Sequence, residues 1–381
     1  MRKTLCFFLL IFIFFFTIGM ATATSSAEPQ GLQGLQEYWR NLEQDLKENV
    51  SEDLDFNFPL EGSRIFKMPA LGEILQGITR YFFKEFFIHF HLLGKLLLLA
   101  VAAALLKNVQ NAFENSEVPV VTDIVIYFLL LLLALQSFRA ALDVGQNAIN
   151  FMVDFMFAFV PVMLTMLASL GSVATVSIFH PIIVFTVNFF ASLVRNIIFP
   201  VIFFATILSL ANHFSTRFNV GKIAIFLKEA AIWSLGLLLT VFVSLTAMQG
   251  TMGTVMDAVT LKTAKFLTGS FLPVVGKVLA DSLETVAGAS LVLKNSVGLA
   301  GLFTLVMIVI FPLIKLLALL ITYRVAAALA EPLGNSSLSN ALNTMGSCLA
   351  MVFGAVAALA LIFFISITIM VGAGNMMFML R

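Results

Sequence analysis

The chain reads as an all-α, polytopic helical membrane protein of about eight to ten spans, each needing roughly 20 apolar residues, and three observations lead there. Of its 381 residues 60% are hydrophobic and 11% charged, and the mean hydropathy is +1.02; an ordinary soluble domain is about 25% charged. Apolar runs long enough for a ~30 Å hydrocarbon core recur from position 87 onward. The chain also repeats itself. Phe159-Val160-Pro161-Val162 returns as Phe271-Leu272-Pro273-Val274, and Ile198-Phe199-Pro200 as Ile310-Phe311-Pro312, both displaced by 112 positions. Two prolines kept in register predict an internal duplication; the alternative is a chance match of two proline-kinked membrane helices.

Arg2 and Lys3, an apolar run over 5–18 and small residues up to Ala27 have the order of a secretory signal peptide, expected to be cut after Ala23 or Ala27. The alternative is an uncleaved anchor; either way, the following residues are expected outside the cytoplasm. Residues 28–86 form the second unit. Its first part is acidic, with Glu37, Glu43, Asp45, Glu48, Glu52, Asp53 and Asp55 against Arg40 and Lys47, which suits an exported segment. Leu32, Leu35, Trp39, Leu42 and Leu46 recur at helical spacing, predicting a short amphipathic helix for a partner or the membrane surface. A solvated spacer is the bland alternative. From Leu71, an apolar face with Ile74, Leu75, Ile78 and Phe82 predicts an interfacial helix.

Residues 87–150 hold the first two spans, 87–106 and 120–138, followed by a weakly apolar interfacial stretch at 140–150. Residues 151–248 are the first repeat. Within it, the tract 176–212 would be about 55 Å long as one straight helix, so it is expected to fold as a hairpin near Arg195. The next loop carries Arg217, Lys222 and Lys228 before its first acid, Glu229, and so reads as cytoplasmic. Residues 249–381 are the second repeat and last span, with a further overlong tract at 297–330. Gly346, Ala350, Gly354 and Ala358 make a small-residue stripe that lets another helix approach. Whether the repeats are parallel or inverted depends on how often the long tracts cross.

No enzyme constellation emerges. His89 and His91 point to different helix faces, and His180 and His213 stand alone. No phosphate-binding loop matches: Gly276-Lys277 is followed by Val278 where Ser or Thr is required. Cys6 and Cys348 make neither a disulfide framework nor a metal site. A net charge of +1 without a long basic run gives no reason to expect nucleic acid, and no cofactor or metal is called for. Charge within the apolar region is the better signal. Lys277 and Asp281 are four apart with Glu284 one turn on, one side of a helix that should face protein or water. That side reads as a translocation path, a self-neutralising pair at a helix interface, or a segment at the membrane surface. Arg195, Lys315 and Arg324 carry the same alternatives. Pro161, Pro200, Pro273 and Pro312 are candidate kinks.

The leader, the acidic exported segment, the FVPV and FLPV turns, the 277–284 charges and the stretch EPLGNSSLSNAL at 331–342 together resemble the stage III sporulation protein AE family of endospore-forming Firmicutes. The resemblance covers essentially the whole chain. It implies a multi-pass protein of the mother-cell membrane around the forespore, a non-enzymatic core or assembly component of the channel, or feeding-tube, complex between the two cells. It further implies partners from the same operon, including a ring-forming component and a cytoplasmic ATPase, and indirectly a forespore membrane protein. No active-site residues come with the family. The competing expectation from residues alone is a self-sufficient secondary transporter of a small solute.

Overall fold

The computed structural model describes residues 71–112, 118–212, 220–271, 275–333 and 336–379. The expected signal peptide and most of the exported segment lie outside the described residues. The described elements are helical throughout: α1 (Leu71–Ile88), α2 (Phe90–Ala112), α3 (Val118–Ser169), α4 (Val173–Leu193), a π-turn (Val194–Ile198), α5 (Phe199–Ala211), α6 (Gly221–Phe271), α7 (Val275–Ala330), a 3-10 turn (Glu331–Leu333) and α8 (Ser336–Met379). The fold is thus the expected all-α membrane type.

Six helical stretches among the described residues are long and apolar enough to cross a bilayer: Gln76–Leu106, Val125–Ser169, Val173–Ala211, Gly221–Thr246, Gly288–Leu333 and Ser337–Asn375. The count falls below eight to ten because the long tracts do not fold back. The 176–212 tract passes Arg195 through the π-turn without reversing, and 297–330 lies within unbroken α7. The weakly apolar 140–150 stretch likewise continues α3 instead of lying apart. The hairpin expectation required each helix to fit the bilayer, but a helix satisfies its own backbone polar groups and can project beyond it. Actual reversal occurs at Leu170-Gly171-Ser172, where Gly171 has φ 84°, the left-handed conformation that only glycine adopts without strain.

Helix directions follow from close contacts. Gly301 of α7 meets the Phe159 ring of α3, and Gly298 meets Met163 of α3 and Val371 of α8. Gly145 of α3 faces Phe199 of α5 and Val356 of α8. So α3 and α8 run together, with α5 and α7 running the opposite way. The α7–α8 hairpin is the centre of the bundle, its spans the most buried of the six, while α6 and α1–α2 lie at the periphery. At the hairpin's turn, the EPLGNSSLSNAL stretch supplies the 3-10 turn and the start of α8, and the Ser339 hydroxyl donates to the Ala327 carbonyl at 2.9 Å. Several buried serine and threonine hydroxyls bond one turn back, as Thr206 does to Ile202 (2.7 Å) and Ser366 to Ile362 (2.9 Å), so they cost little in an apolar interior. Of the small-residue stripe, Gly346 faces the Arg324 side chain and the Leu320 carbonyl of α7, whereas nothing lies within 4 Å of a Cβ placed on Gly354.

The prolines occupy different settings. Pro161 and Pro312 sit inside α3 and α7, Pro200 opens α5, and Pro273 falls outside the described residues. Pro200 and Pro312 are separated by α6 alone, so the helices carrying them run in the same sense.

Candidate functional site

Buried polar groups in an apolar bundle are expensive unless partnered, so they locate the specific contacts. Lys294 on α7 is fully buried. Its Nζ donates to the Val371 carbonyl at 2.6 Å and to Asn375 Oδ1 at 3.3 Å, both on α8. Gly374 makes room: a Cβ there would collide with Lys294 Nζ. The ammonium is therefore held by neutral oxygens. Asn295 beside it has a buried Oδ1 without a hydrogen bond.

The second contact closes the N-terminal end of α4. Asp257 on α6, 2% exposed, accepts the backbone N–H of Ala174 (2.8 Å) and of Thr175 (3.0 Å), and the Thr175 hydroxyl. A helix start leaves its first N–H groups without intrahelical partners and carries partial positive charge. Ser172, at the N-cap position of α4, makes no side-chain cap bond. A carboxylate from a helix more than 80 positions away does the capping instead.

The third site is the π-turn. Pro200 has no N–H and its ring crowds the carbonyl four residues back. The widened turn relieves that crowding, with the Phe199 N–H bonding to the Val194 carbonyl. Arg195 sits on this turn, half-buried, and donates from Nη1 to Asn150 Oδ1 on α3; its buried Nε has no partner. Thus Arg195, where a hairpin was expected, and the candidate kink Pro200 together mark a bulge in a continuous helix.

The remaining sequence candidates are dispersed. Lys315 on α7 lies near the Glu85–His89 pair (3.7 Å) at the α1–α2 junction, where Tyr81 also packs edge-on against Phe311 at 5.0 Å. Arg324 is exposed at the opposite end of α7 from Lys294. Lys277, Asp281 and Glu284 occupy one register face of α7, and their side chains lie outside the described residues. Arg195, Lys315 and Arg324 do not converge on one site. Among the described residues no group of three His, Cys, Asp or Glu side chains is placed to hold a metal. Neither Lys294 nor Asp257 is among the charges singled out from the sequence above. A signal for the latter existed: Asp257 is the sole acid over residues 230–280.

Comparison with known proteins fixes the lineage of this arrangement. The family model described as stage III sporulation protein AE matches residues 64–374, a range that takes in nearly all of the bundle. The chain belongs to the stage III sporulation protein AE family. A member from Bacillus subtilis (strain 168), named stage III sporulation protein AE, is 38% identical over 309 residues, covering 81% of this chain and 77% of that protein. No solved structure matches. Within this family member, Lys294, Asp257 and Arg195 all fall inside the matched range.

Proposed function

We propose that this stage III sporulation protein AE family member is a non-enzymatic membrane core and assembly component of a transenvelope channel complex between mother cell and forespore, contributing part of the conducting path. One observation carries the reading beyond family membership: the helices are too long for the bilayer. α3, α7 and α8 have 52, 56 and 44 residues, about 78, 84 and 66 Å at 1.5 Å per residue against a core of about 30 Å. Such helices extend a rigid bundle into the compartments on either side, which suits a platform for partners. The ring-forming component would dock outside, on the acidic segment before α1, and the ATPase on the cytoplasmic side. Three crossings from an exported N-terminus lead to the start of α6, where Arg217 precedes the helix and Lys222 and Lys228 lie in its first turns, which supports that orientation.

Reconstitution of the purified chain alone in liposomes tests the assignment. An assembly component gives no solute flux without its partners. Sustained flux by the isolated chain would establish the secondary-transporter reading in its place.

A further inference from the structure

On one side of the bundle α6 and α7 outrun their neighbours. The apolar span of α6 ends at Thr246 and that of α7 begins at Gly288, yet α6 runs on to Phe271 and α7 already starts at Val275. Two buried contacts hold the foot of this hairpin: Asp257 fastens α6 to the start of α4, and Lys294 fastens α7 to the last turns of α8. From Asp257 to Phe271, α6 rises about 21 Å at 1.5 Å per residue. From Val275 to Lys294, α7 covers about 29 Å, whereas α8 ends at Met379, about 12 Å past the Val371 carbonyl that Lys294 binds. Both arms therefore stand roughly 15–20 Å clear of the other described helices.

The chain before Leu71 leaves the bundle toward the same side. Tyr81 packs on Phe311, His89 lies near Lys315, and α2 goes on to touch the 3-10 turn at the end of α7, so α1 and α2 run in the direction of α7. Leu71 is then only about 10 Å along the axis from the level of Lys294, at the end of α1 that points to the hairpin. Residues 47–70 can extend to about 80 Å, so the segment 32–46 reaches the projecting arms. The surfaces also match. Val255, Val259 and Lys262 of α6 are exposed at spacings of four and three, on the face opposite buried Asp257. Val255 is about 13 Å past the end of the apolar span, beyond the stretch that lipid covers. Between Asp257 and Asp281 the chain carries Lys262, Lys265 and Lys277 and no acid. Segment 32–46 has the complementary pattern, a leucine and tryptophan stripe at helical spacing bordered by Glu43 and Asp45.

We propose that the projecting α6 arm is the docking surface for residues 32–46 of the same chain, with the apolar stripe laid over Val255 and Val259 and the bordering carboxylates set against Lys262. An isolated helix of that length is marginal in water, and the arm supplies the apolar surface on which it folds. Glu37 and Glu48, on the opposite helical face, are left pointing outward. The contact is made within one chain and holds whatever the complex conducts or recruits.

Full-length chain carrying Cys6→Ser, Val259→Cys and a protease site inserted after Gly62, with buried Cys348 retained, is oxidised in intact membranes and then cut at that site. With Leu35→Cys, Trp39→Cys or Leu42→Cys added in turn, at least one chain is expected to keep its full mass after cutting until it is reduced, while Gln44→Cys, on the far face of the segment, leaves the piece free. Lys262→Glu lowers linkage about two- to fivefold, the scale of an exposed ion pair, and adding Glu43→Lys restores it. The proposal is overturned if none of the three positions links, if Gln44→Cys links as well as they do, or if Lys262→Glu changes nothing. It is equally overturned if the disulfide joins two copies at twice the monomer mass, or joins this chain to a protein of different mass.

Discussion

Replacing Asp257 by Ala strips the start of α4 of three accepted hydrogen bonds: two from backbone N–H groups and one from the Thr175 hydroxyl. Thr175 is buried and Ala174 half-buried, so the freed donors have little access to water. Losing an N-cap costs about 0.5–2 kcal/mol, and each stranded buried donor about 1–3 kcal/mol. These terms overlap, because the cap consists of the same bonds, and their combination amounts to roughly 2–4 kcal/mol. Asp257→Asn should fall between, since an amide offers one acceptor oxygen and turns its NH2 toward the second N–H. Thr175→Val removes the hydroxyl contact alone, about 1 kcal/mol. Equilibrium unfolding of the full chain in mixed micelles reads these differences. The double variant Asp257→Ala/Thr175→Val should lose less than the sum of the single changes, since both act on one contact. An Asp257→Ala chain within about 0.5 kcal/mol of the parent, the range of an ordinary surface change, would refute the capping role.

Further substitutions probe the rest of the bundle in the same assay. Gly374→Ala drives a methyl into Lys294 Nζ and should cost about 1–3 kcal/mol, most of it recovered when Lys294→Ala is added. Gly301→Val meets the Phe159 ring and should destabilise by a similar amount, with Phe159→Ala as the rescuing partner. Gly171→Ala forces a side chain into a φ of 84° and should cost about 1–2 kcal/mol. Single cysteines at 171 and 333 should label from opposite sides of the membrane, because the continuous Val173–Ala211, α6 and α7 lie between them; labelling from the same side would restore a hairpin.

The class of fold was legible because bilayer-spanning helices must be apolar over a fixed length, and that constraint is local. The number of crossings was not, for a reason visible at Arg195. A charge followed by a proline looks like a break, yet without neighbours it does not distinguish reversal from a widened turn. Asn150, which accepts from Arg195, is 45 positions away, and its contribution comes only with packing. The true reversal at Gly171 carried a turn residue, but it sat within an apolar stretch where small residues also serve helix contact. Asp257 and Lys294 show the same limit. Each is visible as a charge in an apolar region, but the helix start that one caps and the carbonyl that the other binds are 82 and 77 positions distant. The two prolines that the sequence sets in register at 200 and 312 have different settings: Pro200 opens α5 behind the π-turn, whereas Pro312 lies inside continuous α7.

The measurement that bears most directly on the assembly role is affinity purification of the tagged chain from sporulating cells, with and without residues 32–50. The intact chain is expected to bring down the ring-forming component and the ATPase together, and the deletion to lose the ring-forming component while keeping the ATPase. Unchanged recovery of both from the deleted chain would contradict docking through residues 32–50, and recovery of neither from the intact chain would contradict the assembly role itself.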